Sequence, residues 1–232
     1  MTSIESIINR QFLLWEKNRQ ESTASPEQKP LPPPIVTISR QSGSRGSYFA
    51  SRLAQKLDYQ RIHREIVDSI CASSGYRKRI IDALDEKYHS QLDTLVDSLV
   101  TGQTVDNSDF SRHLFKVILS MSELGGVVLV GRGGSFILGP LKGFHIRVVA
   151  PYKKRIENLI AYKNITEQEA VEYIAQSDSQ RGEYIRKLFG ADIDDPCRYD
   201  LVINTCHLDV EELVDCTMEA IKTKMNKLSH QE

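Results

Sequence analysis

Residues 35–57 read IVTISRQSGSRGSYFASRLAQKL. A β-branched run ends in a loop of small residues, and apolar residues then recur at helical spacing, namely Phe49, Ala50, Leu53, Ala54 and Leu57. Glycine and serine let a backbone approach a ligand closely, and the free N–H groups and dipole of a helix N-terminus favour an anion. The stretch therefore predicts a strand, a phosphate-binding loop and a helix.

The loop departs from the regular phosphate-binding pattern in one respect. The sequence G-x-x-x-x-G-K-[ST] occurs nowhere in the chain, and Gly46 stands where that pattern has its lysine. Function therefore depends on whether Arg45 or Arg40 can supply the missing positive charge.

Composition limits the classes of function. The 232 residues can bury one good core, so we expect a single α/β domain with an appendage. A formal net charge of −1, without a basic stripe or aromatic platform, argues against nucleic acid as a partner. The cysteines are scattered without a C-x-x-C pair, which is typical of free thiols in a reducing cytosol.

The N-terminal region carries a helical pattern. Apolar residues recur at helical spacing at Ile4, Ile7, Ile8, Phe12 and Trp15, and charged Glu5 and Arg10 within this stretch exclude a secretory signal. No apolar run reaches the about 18 residues of a membrane span, so we expect a cytoplasmic protein without membrane contact. Polar residues from Lys17 onward predict a proline-rich linker up to residue 34. The helix can pack on the core, pair two subunits into a homo-oligomer, or dock elsewhere.

Strands and helices alternate along the rest of the chain. Apolar runs predict buried strands at 127–130, 145–150 and 201–204. A mainly helical region at 64–124 is interrupted by an exposed loop near 101–109. This alternation favours a parallel sheet covered on both faces.

Two helices close the pattern. The capping box Thr166-Glu167-Gln168-Glu169 predicts a helix over about 166–190. A C-terminal helix follows, with a frayed tail at 226–232. Residues 35–225 are thus expected to form one domain.

The second glycine-rich loop, Gly131-Arg132-Gly133-Gly134, also follows a strand. Ligands of parallel sheets lie beyond the C-terminal ends of the strands, where both loops open. The planar guanidinium of Arg132 suits bidentate contact with a phosphate. The alternative is a turn that carries a solvated arginine.

A third feature lies on the helix over about 166–190. Asp178, Arg181 and Tyr184 drift slowly round one helix face, whereas Arg186 lies further round. Arginines on a mobile lid neutralise charge on a moving phosphoryl group and exclude water. The alternative is a solvated helix with ion pairs.

These residues carry a resemblance. From Ile35 to Ala220 the chain resembles the cytidylate-kinase-like branch of the P-loop nucleoside-monophosphate kinases. The matching blocks are Ile38-Ser39-Arg40-Gln41 with Gly43, Val130-Gly131-Arg132-Gly133-Gly134, Arg147-Val148-Val149-Ala150-Pro151, Arg181 with Tyr184-Ile185-Arg186-Lys187-Leu188-Phe189, Asp194-Asp195-Pro196, and Tyr199-Asp200-Leu201-Val202-Ile203-Asn204-Thr205.

The resemblance implies a P-loop NTPase-like α/β/α sandwich with a helical lid. It also implies phosphoryl transfer from ATP with Mg²⁺ to a small phosphorylated acceptor, by the resemblance a pyrimidine nucleoside monophosphate such as CMP. The residues implied on the ATP side are Gly43, Ser44, Arg45, Gly46, Ser47 and Tyr48 at the phosphates, with Asn204 and Thr205 near the adenine. Those implied on the acceptor side are Arg40, His63, Arg64, Arg132 and Gly133. Arg45, Arg181 and Arg186 would be catalytic, and Ser47 and Glu65 are candidates for holding magnesium.

Two departures from the family pattern keep other functions open. Family members tend to read S-G-G-R at residues 44–47, and His63 stands where monophosphate kinases commonly place an aspartate. A nucleotide-binding sensor or scaffold without turnover agrees with these changes. A kinase for a non-nucleotide acceptor shares every feature of the first hypothesis, since acceptor identity depends on the 64–124 region.

Overall fold

Parallel strands alternate with helices in the computed structural model, which describes residues 3–23, 33–84, 86–101 and 109–229. The strands are β1 (Val36–Arg40), β2 (Gln60–His63), β3 (Val127–Val130), β4 (Phe144–Val149) and β5 (Leu201–Asn204). The helices are α1 (Ile4–Thr23), α2 (Gly46–Leu57), α3 (Arg64–Ala72), α4 (Ser74–Asp82), α5 (Glu86–Thr101), α6 (Asp109–Leu124), α7 (Gly134–Leu138), α8 (Tyr152–Lys163), α9 (Glu167–Phe189) and α10 (Val210–Ser229).

The five strands form one sheet in the order β2-β3-β1-β4-β5, and every neighbouring pair is parallel. Its central strand is β1, in which Thr37 lies opposite Leu129 of β3 and His145 of β4. The loops that follow β1 and β3 therefore lie side by side at the C-terminal edge.

The two faces of the sheet are buried against different helices. Val127 and Leu129 belong to a core cluster with α1 and α3–α7, whereas Val128 and Val130 belong to a cluster with α2 and α10. This alternation confirms the predicted three-layer α/β/α sandwich. Helices α8 and α9 have a small core of their own around Leu159 and form a helical appendage.

Helix α1 packs on the core, which is one of the three roles left open by the sequence. Phe12 and Trp15 are buried, and the Trp15 indole N–H donates to the carbonyl oxygen of Gly125 at 2.9 Å. The helix also continues to Thr23, beyond the predicted start of the linker at Lys17. Residues 17–23 contain neither proline nor glycine, so nothing in them ends the helix. Half of the predicted linker, residues 24–32, lies outside the described residues.

Two other features differ from the predictions. Strand β2 was not predicted, because it is a short edge strand in which only Ile62 is buried. Helix α10 continues through Ser229, so residues 226–229 are not a frayed tail, and residues 230–232 lie outside the described chain. The helix end is held by Lys224, whose ammonium donates to Asp200 at 2.7 Å and to the carbonyl of Pro140 at 2.8 Å. The predicted loop near 101–109 falls almost entirely on residues that are not described.

A search of the described helices for a segment of the length and apolarity needed to traverse a bilayer finds none. All four cysteines are free thiols.

Candidate functional site

The first glycine-rich loop joins β1 to α2. Gly43 has a φ of +78° and Arg45, the N-cap residue of α2, has a φ of 58°, so both residues are left-handed. A Cβ atom on Gly43 would lie 2.4 Å from the carbonyl oxygen of Arg155, so this approach of loop and α8 requires glycine. Gly46, Ser47 and neighbouring residues line a cavity of about 810 Å³, which we call the loop cavity.

Side chains hold the loop through its carbonyl oxygens. Three of them donate to consecutive carbonyl groups: Arg155 to Ser42 at 2.6 Å, Asn158 to Gly43 at 2.8 Å and Thr205 to Ser44 at 2.8 Å. These carbonyl groups are engaged, whereas the first N–H groups of α2 have no partner within the helix, so the free backbone groups at the α2 N-terminus are N–H donors. Such an arrangement of backbone amides suits an anion.

The predicted ATP-phosphate residues are brought together, except that Ser44 is buried beneath the loop with its hydroxyl donating to Gln41 O at 2.8 Å. Arg45, Ser47 and Tyr48 are exposed and line the loop cavity. The Arg45 guanidinium lies 5.3 Å from the centroid of the Tyr48 ring. It therefore sits at the solvent side of the cavity.

The two residues predicted near the adenine do not line the loop cavity. Thr205 is buried below the loop, and Asn204 is exposed at the end of β5, where its side-chain oxygen accepts from the Cys206 amide at 3.0 Å. Their role at the adenine stays a prediction.

The second loop delivers Arg132 to the same edge of the sheet. Gly131, Arg132 and Gly133 have φ values of +88°, 55° and +67°, so the turn passes through three left-handed residues. A Cβ atom on Gly133 would lie 2.6 Å from the Phe189 ring, which explains the glycine. Together with Gly134 and Phe136 they line a cavity of about 520 Å³, which we call the arginine cavity.

Asp68 of α3 is the partner of Arg132. The two side chains form an ion pair, and the Tyr184 ring lies 5.7 Å from the guanidinium carbon. Burial is the largest single effect and pulls the pKa of Arg132 down, but the hydrogen bond to Asp68 and the charges of Tyr184 and Asp68 together outweigh it, so that the pKa is raised. Within the described chain, Arg132 Nε, Asp68 Oδ1 and Tyr184 Oη are buried without a hydrogen-bond partner. This polar cluster has unsatisfied capacity for a ligand.

The other predicted acceptor-side residues lie at the start of α3. Arg64 and Glu65 line the arginine cavity, whereas His63 does not. The His63 ring instead lies with Nδ1 2.6 Å from Glu65 Oε2. The pKa of Glu65 is lowered, mainly by a hydrogen bond from the Glu65 backbone amide to the Glu65 carboxylate. His63 also contributes to this lowering. Binding of the acceptor by His63 stays a prediction.

Helix α9 brings one of its two predicted arginines to the site. The Arg181 guanidinium donates to Ser42 Oγ at 2.9 Å and to the backbone oxygen of Arg40 at 3.1 Å. Arg186 is exposed and lines neither cavity, because five residues place it about 140° round the helix from Arg181. Its role on a lid stays a prediction.

Three residues line both cavities: Arg40, Tyr173 and Arg181. They form the wall between the loop cavity and the arginine cavity. Burial is the main cause that lowers the pKa of Arg181, against the raising effect of Asp178. The wall is thus basic and partly desolvated.

A magnesium ion would have few protein ligands here. No group of three or more His, Cys, Asp and Glu side chains with the geometry of a metal site occurs among the residues that the structure describes. Ser47 lines the loop cavity and Glu65 the arginine cavity. Such a donor set fits an ion held mainly by substrate phosphates and water, as is usual for Mg²⁺ in phosphotransferases.

Sequence reasoning missed several residues of the site. Asp68, Arg155, Asn158 and Tyr173 had no motif of their own. The first three act through contacts distant in sequence, such as that between Asp68 and Arg132, which are 64 positions apart. The one available signal was the charge of Asp68 and Arg155 on helices that follow the strand ends.

Comparison with known proteins is consistent with this geometry. Residues 35–207 match the cytidylate kinase-like family. A protein of Corynebacterium glutamicum named uronate isomerase is 28% identical over 191 residues, a match that covers 79% of this chain but only 36% of that longer protein. The cytidylate kinase of Ignicoccus hospitalis is 25% identical over 181 residues, which cover 78% of this chain and 95% of the kinase.

Among solved structures, an uncharacterized protein from Eubacterium ventriosum has the same fold. It superposes with a TM-score of 0.65 at 19% sequence identity, over 82% of this chain and 98% of that protein. At this identity the likeness concerns the fold alone.

Proposed function

The chain belongs to the cytidylate kinase-like family, and from this premise we propose that it transfers the γ-phosphoryl group of ATP, bound with Mg²⁺, to a pyrimidine nucleoside monophosphate such as CMP. Phosphotransfer of the nucleotide-kinase type agrees with the family and with the cytidylate kinase relative. One observation carries the proposal: a cavity over the phosphate loop and a cavity over Arg132 meet at a common basic wall. A kinase needs two such sites in line.

The loop cavity is the proposed site of ATP. The N-terminal amides of α2 and the loop backbone would bind the phosphate chain, and Arg45 would add a charge at the mouth. Ser47 lies in the first turn of α2, and its hydroxyl would help to hold the magnesium ion that accompanies ATP. The reducing cytoplasm suits a chain with four free thiols.

The arginine cavity is the proposed site of the acceptor. Its size suits a nucleotide-sized ligand rather than a polymer. Arg132 would bind the acceptor phosphate, with Gly133 leaving room beside it, and Asp68 would hold the guanidinium in position. Arg64 and Glu65 lie at the rim of the same cavity.

The proposed reaction is direct transfer. An oxygen of the acceptor phosphate attacks the γ-phosphorus, a new O–P bond forms, and the bond to the β–γ bridging oxygen breaks to release ADP. No protein base is required, since the catalysis consists mainly of positioning and charge neutralisation. Arg181, in the wall between the cavities, is placed to neutralise charge on the moving group.

A nucleotide-binding sensor or scaffold without turnover is the second candidate function. The observation that favours it is Gly46 at the lysine position of the loop. It predicts saturable ATP binding without transfer, together with a change of assembly state or partner binding on loading.

The deciding experiment measures transfer of labelled γ-phosphate from ATP-Mg²⁺ to a panel of nucleoside monophosphates. We expect transfer to CMP, dCMP or UMP. Arg132→Ala should raise the acceptor KM about 10- to 100-fold, because a charge-assisted bidentate contact is lost. The KM for ATP should change far less.

The control is Arg52→Ala, which removes an exposed arginine paired with Glu211 on α10, outside both cavities. Equal effects of Arg132→Ala on both KM values would contradict its assignment to the acceptor. Absence of transfer to any nucleotide, by protein that binds ATP, would leave a binding module or a kinase for a non-nucleotide acceptor.

A further inference from the structure

The Arg40 side chain extends from one glycine-rich loop to the other. A Cβ atom on Gly46 would lie 2.5 Å from Arg40 Cβ and 3.1 Å from its Cγ. A Cβ atom on Gly131 would lie 3.0 Å from Arg40 Nη1. The stem of Arg40 thus lies against Gly46 and its guanidinium against Gly131, so a glycine in each loop makes room for part of one side chain.

This packing gives a physical reason for the missing lysine. A side chain at position 46 would meet the stem of Arg40 on one side and Val148 Cβ, at 3.2 Å, on another. Lysine at position 46 and arginine at position 40 therefore exclude each other. The space beside position 46 is occupied by Arg40, the last residue of the strand that leads into the loop.

The surroundings of Arg40 point to an anionic ligand. Its Nε is buried and has no hydrogen-bond partner among the described residues. Burial, and next the positive charge of Arg181, lower the pKa of Arg40 to about 10, so the group is still protonated at neutral pH but short of counter-charge. Two neighbouring cations at a cavity wall are stabilised when an anion binds between them.

Arg45 stands in a different position. It is exposed, lies beside the Tyr48 ring and lines the loop cavity only, whereas Arg40 lines both cavities. A phosphoryl group that moves from one cavity to the other must pass the wall that Arg40 forms with Arg181 and Tyr173. Arg45 is therefore suited to binding ATP and Arg40 to the transfer itself.

We infer that Arg40 replaces the missing lysine of the phosphate loop and binds the γ-phosphoryl group as it passes from ATP to the acceptor, a role that rests on the proposed function. The guanidinium can donate two hydrogen bonds to two phosphate oxygens, which a lysine ammonium does only with less geometric control. No proton leaves Arg40 during the reaction, since it acts by its charge alone.

The kinetic test compares Arg40→Ala with wild type, and Arg52→Ala is the control that removes an arginine outside the site. Arg40→Ala should lower kcat about 100-fold, the usual effect of losing one donor to a developing charge. Thermal unfolding should stay near that of wild type, because Arg40 lines a cavity. Wild-type kcat in Arg40→Ala, with transfer intact, would overturn the inference and leave the proposed function standing.

A charge exchange gives a sharper test. Gly46→Lys alone should be inactive or unstable, since its Cβ meets Arg40. The double variant Arg40→Gly with Gly46→Lys restores the regular arrangement of glycine and lysine. Its kcat should be at least about 10-fold higher than that of Arg40→Gly alone, because the two neighbouring sites are strongly coupled. A double variant that unfolds like wild type but is no more active than Arg40→Gly would overturn the inference.

A binding measurement separates this inference from the proposed function. Calorimetric titration compares ADP with an ATP analogue that has an imido group between the β- and γ-phosphates, both with Mg²⁺. Wild type should bind the analogue about 10-fold more tightly, and Arg40→Ala should lose that preference. The transfer assay tests the proposed function, which fails if wild type transfers phosphate to no acceptor. The titration tests Arg40, and an equal preference for the ATP analogue in wild type and Arg40→Ala would overturn its role.

Discussion

His145 is a fully buried histidine near the start of β4. Its Nε2 lies 2.8 Å from the carbonyl oxygen of Gly139, and its Nδ1 lies 2.7 Å from the hydroxyl oxygen of Thr37. A carbonyl oxygen only accepts, so Nε2 carries a proton, whereas the Thr37 hydroxyl can either donate to Nδ1 or accept from it. Burial disfavours the charged ring, so the ring is neutral and Nδ1 accepts from the Thr37 hydroxyl.

This neutral histidine makes stability depend on pH. Burial lowers the pKa of His145, as does Lys224 nearby, against the raising effects of the Gly139 carbonyl and Asp200. Below about pH 6.5 the His145 ring takes up a proton in the unfolded chain but stays neutral in the folded chain. The free energy of unfolding therefore falls as the pH drops below that value. Denaturant unfolding between pH 7.5 and about 5 should show a smaller decrease for His145→Gln than for wild type.

The control for this prediction is His207→Gln, which removes an exposed histidine outside the sheet. Identical pH slopes for wild type and His145→Gln would show that the ring does not stay neutral in the folded protein.

Helices α8 and α9 are tied to the phosphate loop through one carboxylate. Asp178 Oδ1 accepts from the Ser42 amide at 2.9 Å, and its Oδ2 pairs with Arg155, which is buried. Arg181 approaches the same carboxylate at 3.4 Å. The capping box at Thr166 predicted where α9 begins, and it is present, but this tie joins residues 136 positions apart and has no local signal in the sequence.

Asp178→Asn should therefore destabilise the protein without removing the acceptor for Ser42. Arg155 would be left without its counter-charge, and breaking a buried ion pair costs about 3–5 kcal/mol, which we reduce to about 2 kcal/mol because Asp178 is partly exposed. Chemical denaturation measures the change. The control Glu183→Gln affects an exposed pair on the same helix and should cost less than about 0.5 kcal/mol. A similar loss of unfolding free energy in Asp178→Asn and Glu183→Gln would mean that the charge of Asp178 does not stabilise the contact between these helices and the loop.

At the scale of the whole molecule, some structural features follow from local sequence and others depend on the assembled sheet. Four of the five strands carry their own signal of consecutive or alternating apolar residues, and this was enough to predict the parallel sandwich. Strand β2 has one buried residue and no such signal. The Arg40 side chain packs against Gly46 and Gly131, and these two loops lie side by side only because β3 pairs with β1 in the assembled sheet. The common wall between the two cavities is therefore a property of the assembled sheet.

Trp15 and Phe12 of α1 provide a test of whether this helix and the sandwich unfold as one unit. Trp15 is the only tryptophan of the chain and is buried in the core cluster shared with α3, so its fluorescence reports the docking of α1. We expect its unfolding transition to coincide with that of far-UV circular dichroism. Phe12→Ala should shift both transitions together by about 3–5 kcal/mol, whereas Leu13→Ala, on the exposed side of the same helix, should shift neither by more than about 0.5 kcal/mol. If Phe12→Ala moved the fluorescence transition alone, α1 would be a separately unfolding element, and its packing would not contribute to the stability of the sheet that positions Arg40 and Arg132.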